Sequence, residues 1–224
     1  MAINEIQSIF ENRQDAGRKL ALELDKYDQK VVVLAIPNGG VPVGIEIANS
    51  IPKAEFSLII ARKIPVPLNP EAGFGAIADD GTVVIDDNIV SKMALPHQQI
   101  DYEINRVREN VKQRTLLYSR ERSLTLVDGR VVIITDDGLA SGYTMLAAVE
   151  SIRRRRPKEI VVAVPVAWEN ALERVKKVAD RVVTCTTSTS SKFYIEDYYR
   201  RWGEVKNEDV IVYLQQWRSR HTRV

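Results

Sequence analysis

Cysteine, histidine and excess charge are all scarce in this chain, and each scarcity removes a class of function. Cys185 is the single cysteine among 224 residues. No intramolecular disulfide can form, and a reducing compartment, the cytoplasm, is expected. The only two histidines, His97 and His221, are isolated from each other and from any acid or thiol cluster, which leaves no zinc pattern. Ser141 has no evident histidine partner to activate it as a nucleophile. A formal charge of +2 is too small for the basic excess of a nucleic-acid binder. No stretch reaches the roughly 18 apolar residues of a membrane span. The opening segment, MAINEIQSIFENRQDAGRKL, has no apolar core of signal-peptide length. Repeats, low-complexity tracts and linkers are also missing, so a single domain over 1–224 is expected.

What is present is a globular composition, 45% hydrophobic and 28% charged, which argues against disorder. Residues 4–26 carry a partial helical period. VVVLAI at 31–36 is an unbroken apolar run that ends in PNGG and reads as a buried strand followed by a turn. A short helix is expected over 41–48, with Pro42 in its first turn. FSLIIARK at 56–63 reads as a second buried strand. Residues 64–82, rich in proline and glycine, read as a long loop or irregular hairpin. TVVID at 82–86 is a strand candidate. A helix is expected from Gln98 to about Arg120, where Ile100, Ile104, Val107 and Val111 share one face. RVVIITDDG at 130–138 is a third buried strand. It is followed by a helix over 142–155, a strand over 160–167, a helix over 169–180 and a strand over 181–187. Buried strands alternating with helices give an α/β fold with a mostly parallel sheet flanked by helices. In such sheets ligands bind beyond the carboxyl ends of the strands. That rule selects PNGG, the segment after Arg62-Lys63, and DDGLASGYT.

DDGLASGYT carries the strongest signal. A buried strand delivers Asp136 and Asp137 to the sheet edge. A small-residue loop, Ala140-Ser141-Gly142-Tyr143-Thr144, then opens a helix. Free amides at a helix start, a glycine and two hydroxyls make a phosphate cradle, and two carboxylates beside it can accept hydrogen bonds from a sugar diol. The competing reading is a βα turn in which Asp and Ser cap the helix. Pro37-Asn38-Gly39-Gly40 either presents exposed amides to an anion or is only a turn. Arg62 and Lys63 either neutralise a diphosphate or are a solvated strand end. Arg153 to Arg156 close a helix, where cations meet the dipole favourably; a nucleic-acid patch is the other reading.

RVVIITDDGLASGYTM resembles the phosphoribosyl-pyrophosphate signature of the type I phosphoribosyltransferases. LAIPNGGVPVG, ARKIPVPLNPEAGFGAI and AVPVAWENALERV extend the resemblance over most of the chain, to one uncharacterised branch of phosphoribosyltransferase-like proteins. It implies that Asp136 and Asp137 hold the ribose hydroxyls and that residues 140–144 hold the 5′-phosphate. It also implies that Pro37 to Gly40, with Arg62 and Lys63, hold pyrophosphate. Magnesium would be bound through the pyrophosphate rather than by the protein directly. The residues after Lys63, IPVPLNPEAGFGAIADDG, would form a mobile flap. A small hood from 1–28 and 190–224 would bind a nitrogen acceptor, a nucleobase or related heterocycle, with Tyr194 and Trp202 as its aromatic members. The resemblance implies a homodimer. Two positions depart from the pattern: Asn38, where many relatives carry a basic residue, and Ala140, where purine-type relatives carry an aspartate base. The acceptor would then react as an anion or take its base from elsewhere. A non-catalytic regulator that senses the phosphoribosyl ligand, or binds nucleic acid, is the alternative.

Overall fold

The computed structural model describes residues 9–27, 29–67, 69–122 and 125–221. The first helix, α1 (Arg13–Leu22), is shorter than the 4–26 expected, because Asn12 caps it: the Asn12 side chain accepts from the Asp15 amide at 2.8 Å. Residues 1–8 lie outside the described residues. The chain then runs through β1 (Val31–Ala35), α2 (Gly40–Ser50) and β2 (Glu55–Leu58). Next come β3 (Ala61–Val66), β4 (Asn69–Ala78) and β5 (Val83–Ile85), followed by α3 (Asp87–Lys92) and the long α4 (His97–Tyr118). The remainder alternates: β6 (Val131–Thr135), α5 (Tyr143–Arg153), β7 (Glu159–Trp168), α6 (Glu169–Lys176), β8 (Arg181–Ser188), and last α7 (Asn207–His221).

Five strands form one parallel sheet in the order β2-β1-β6-β7-β8. The unbroken apolar runs follow from its two covered faces. Val31, Val33, Val131 and Ile133 turn to one core, with Ile47 of α2 and Val210, Leu214 and Trp217 of α7. Val32, Leu34, Val132 and Ile134 turn to the other, with Met145, Ala148, Val149 and Ile152 of α5. Among the described residues no helix is long and apolar enough to cross a membrane.

One expectation needs correcting, and one pair of alternatives is decided. The run FSLIIARK is two strands: β2 belongs to the parallel sheet, whereas β3 pairs antiparallel with β4, and β4 with β5. Ile59 and Ile60, at the bend, are fully buried, so the apolar run continues through a change of sheet that period alone cannot reveal. Residues 64–82 take the irregular hairpin, one of the two forms expected. Its ladder runs from Ala61↔Ala78 to Val66↔Asn69, with register shifts at Ile64/Pro65 and Pro65/Val66. Phe74, Ala76 and Ile77 are fully buried within it.

The hood also differs in extent. Its two segments do meet: the Ile9 and Phe10 amides donate to the Tyr198 carbonyl at 3.0 and 2.9 Å, and the Arg200 amide donates to that of Phe10 at 2.8 Å. Phe10, Ala16, Val166, Tyr198 and Tyr199 make a small separate core. But α7, assigned to the hood from sequence, packs on the main core, where Trp217 lies against Phe56 at a ring separation of 5.4 Å.

Candidate functional site

The carboxyl ends of β1 and β6 and the start of β3 converge on a cavity of about 330 Å3, lined by Pro37, Arg62, Lys63, Asp136 and Thr144 among others. Three of the segments chosen from sequence therefore share one hollow. A larger groove, about 840 Å3, lies at the C-terminal ends of α1 and α2 and contains none of these residues.

The two acids do different things. Successive residues leave a strand on opposite sides. Asp136 faces the cavity, and its Oδ1 accepts the Asp137 amide at 2.8 Å. Asp137 turns toward the hood, where its Oδ2 accepts from Arg13 Nε at 2.8 Å. Arg13 also donates to the Gly203 carbonyl at 2.7 Å, and its guanidinium lies 3.6 Å from the Trp202 ring centroid. The Tyr199 hydroxyl donates to the Asp137 carbonyl at 2.6 Å. Burial, and then the charge of Asp137, raises the Asp136 carboxyl well above its ordinary range. Burial raises Asp137 as well, opposed by Arg13. The pair is thus an ion-paired carboxylate beside a carboxyl that holds protons readily.

Gly39 closes the turn against this pair. A β-carbon there would stand 1.9 Å from Asp137 Oδ2 and 2.5 Å from its Cγ, so only glycine fits. The Pro37–Asn38 peptide is cis. Within the turn the Gly40 and Val41 amides donate to Ile36 and Asn38 carbonyls at 3.1 Å each, and Pro37 has no N–H. The Asn38 and Gly39 amides are its remaining donors. The Asn38 side chain does not enter the cavity. Its Nδ2 donates to the Val205 carbonyl at 2.8 Å and to Asn207 Oδ1 at 3.2 Å, and its Oδ1 accepts from Arg114 and Tyr118.

At the Ala140–Thr144 loop, Gly142 is the N-cap of α5 with φ +84, a conformation that glycine adopts without strain. The first-turn amides beyond it point outward, as at any helix start. Arg174 of α6 donates to the Ser141 carbonyl at 2.8 Å and holds the loop from behind. Tyr143 is turned inward: it is buried, and its hydroxyl donates to Asp86, which caps α3. Burial and this bond push the Tyr143 hydroxyl up to about 12. Its side chain ties the loop to the hairpin and faces away from the cavity. Trp202 lies at the site through Arg13, but Tyr194 is 57% exposed and makes no ring contact among the described residues. The basic run is largely neutralised: Arg153 pairs with Asp180, Arg155 with Asp79 and Arg156 with Asp128.

Sequence reasoning missed Arg13, Arg114, Tyr118 and Arg174. Each is one charged or aromatic residue on an otherwise ordinary element, and no local pattern marks it.

No group of three or more His, Cys, Asp or Glu among the described residues could hold a metal ion. Among the described residues lining the cavity, Asp136 is the one acid. That donor set fits magnesium that arrives with a phosphate ligand and keeps most of its waters.

The model for the phosphoribosyl transferase domain matches residues 5–199. Rv0571c of Mycobacterium tuberculosis, provisionally named a phosphoribosyl transferase, is 34% identical over 92% of this chain, which covers 46% of that protein. The chain therefore spans about half the length of the curated relatives it matches. TT1426 from Thermus thermophilus, a solved structure, is 34% identical with a TM-score of 0.73, over 93% of this chain and 98% of that one. A ribose-phosphate pyrophosphokinase of Pyrococcus abyssi is 40% identical over 82 residues, 35% of this chain and 29% of that protein.

Proposed function

Because the chain belongs to the phosphoribosyl transferase domain family, we propose that it binds phosphoribosyl pyrophosphate and transfers the phosphoribosyl group to a nitrogen acceptor, a nucleobase or related heterocycle, releasing pyrophosphate. The observation that carries this reading is one cavity bordered by Asp136, by Thr144 of the glycine-led helix start, and by Pro37, Arg62 and Lys63. A ligand with a phosphate at one end, a diol in the middle and a diphosphate at the other matches that order of groups.

In this reading the α5 amides and the Ser141 and Thr144 hydroxyls hold the 5′-phosphate. Asp136 accepts from the ribose hydroxyls. Asp137, ion-paired with Arg13, adds negative charge beside the ring, which favours the positive charge that develops as the bond from C1 to the leaving oxygen lengthens. The Asn38 and Gly39 amides, with Arg62 and Lys63, receive pyrophosphate. Magnesium bound with the diphosphate supplies charge neutralisation there. No protein nucleophile is needed; alignment of acceptor nitrogen and C1 contributes most of the rate. The hood, through Trp202 and Arg13, is the acceptor side. The protein works as a cytoplasmic homodimer in nucleotide metabolism.

An acceptor screen tests this. Purified protein is incubated with phosphoribosyl pyrophosphate, magnesium and a panel of nitrogen heterocycles, and pyrophosphate release is scored. Acceptor-dependent release that disappears in Asp136→Asn supports transfer. Tight ligand binding with no release across the panel would point instead to a ligand-sensing regulator.

A further inference from the structure

The Pro37–Gly40 turn is gripped from outside by a cation that the sequence reading did not foresee. Arg114 of α4 donates from Nη1 to Asn38 Oδ1 at 2.9 Å, and Tyr118, one turn further along α4, donates its hydroxyl to the same oxygen at 3.0 Å. Tyr118 also reaches Asn207 Oδ1 at 2.9 Å, and Asn207 opens α7. The Asn38 amide is therefore fixed at both ends, its oxygen toward α4 and its nitrogen toward α7. This bond uses one of the five donors of Arg114.

Arg62 stands on the cavity side of the same turn. Burial first, and the positive charge of Arg114 second, hold the Arg62 guanidinium below its ordinary value. Neither arginine forms an ion pair with a carboxylate among the described residues. Two like charges kept together at the edge of a polar cavity are unfavourable until an anion joins them. The carboxylate nearest to Arg62 in effect is Asp136, which burial and Asp137 bias toward its neutral form.

We propose that Arg114 is a positioning residue for pyrophosphate. Through Asn38 it fixes the turn whose amides meet the anion, and its charge, added to those of Arg62 and Lys63, makes this end of the cavity select a diphosphate over a monophosphate. The inference rests on the proposed function above, in that it takes this end of the cavity as the pyrophosphate end. It differs from that reading in giving the selectivity to a residue outside the cavity wall.

The test is calorimetric titration of the 224-residue protein with two probes, inorganic pyrophosphate with magnesium, and ribose 5-phosphate. Arg114→Gln is expected to weaken pyrophosphate about tenfold, the size of one charge-assisted contact, and to leave ribose 5-phosphate within about twofold. Arg114→Lys, which keeps the charge, should recover most of the loss. Pyrophosphate binding by Arg114→Gln should also fall less steeply with salt than wild type. Wild-type affinity for pyrophosphate in a folded Arg114→Gln protein would overturn the proposal and leave the proposed function standing. Equal loss of both probes, unrelieved by lysine, would make Arg114 merely structural and overturn it too. Absence of pyrophosphate binding in wild type would instead remove the pyrophosphate site itself. If Arg114→Gln does not fold, wild-type protein carrying 15N-arginine gives the answer. The Arg114 and Arg62 guanidinium signals should shift with pyrophosphate and stay put with ribose 5-phosphate; an unmoved Arg114 signal at saturating pyrophosphate would overturn the proposal.

Discussion

Asparagine at 136 and asparagine at 137 should change stability in opposite directions. Asp136 is half-buried beside another acid, and its carboxyl is raised well above the ordinary 3.8. An acid raised on folding binds more protons in the folded than in the unfolded state. Its contribution to stability is therefore lost as pH climbs from about 4 through the raised value. Asp136→Asn keeps a carbonyl to accept the Asp137 amide and drops the charge. It should stabilise the protein at pH 7 by about 1–3 kcal/mol, the scale of a buried group freed of its desolvation penalty. It should also flatten the decline in stability above pH 4. Asp137→Asn takes the counter-charge from Arg13, whose side chain is only 9% exposed. Breaking such a pair costs about 3 kcal/mol, the low end of the range because the Gly203 carbonyl and the Trp202 ring remain as partners. Urea unfolding followed by circular dichroism at pH 5 and pH 7 reads both. For a chain of this size, 1 kcal/mol moves the melting temperature by about 2–4 °C. Midpoints that shift in the same direction at pH 7 would refute the division of roles between the two acids.

Gly39→Ala should lose about 1–3 kcal/mol of stability by overpacking against Asp137. It should also weaken ribose 5-phosphate and pyrophosphate together, since the added methyl displaces a carboxylate as well as the turn; calorimetry with each ligand checks this. Trp202→Ala should cost about 0.5–2 kcal/mol through its lost stacking on Arg13, whereas Tyr194→Ala, at an exposed ring, should stay within about 0.5 kcal/mol of wild type in the same melting experiment. Amide exchange should be slow from Phe74 to Ala78 with or without ligand, because β4 is paired on both edges; fast exchange there in the free protein would restore the flap.

The parallel sheet was legible because its strands are buried on both faces and therefore read as valine- and isoleucine-rich runs, bounded by turns. The helices α4 and α5 were legible because each has one apolar face. For PNGG and DDGLASGYT the site's position followed from the rule that ligands gather at the carboxyl ends of strands; Arg62-Lys63 border the same cavity from the start of β3 instead. What stayed hidden is long-range. Nothing local distinguishes Arg13 as the partner of a residue 124 positions away, or Arg114 as the clasp of Asn38, 76 positions away. The split of FSLIIARK was invisible because both halves are buried. α7 was missed because its aromatic and charged residues alternate without a wide apolar stripe; only Val210, Leu214 and Trp217 are buried. Tyr143 was grouped with the phosphate loop by position, yet its ring points inward to Asp86, a partner supplied by the hairpin side.

The central claim is that one cavity binds phosphoribosyl pyrophosphate with magnesium, and thermal melting with that ligand tests it most directly. At about 100 times its dissociation constant, a bound ligand adds roughly 2.7 kcal/mol, so the wild-type melting temperature should rise by several degrees. The rise should vanish in a protein carrying Asp136→Asn and Gly142→Val together. No rise at millimolar ligand, with or without magnesium, would contradict the account.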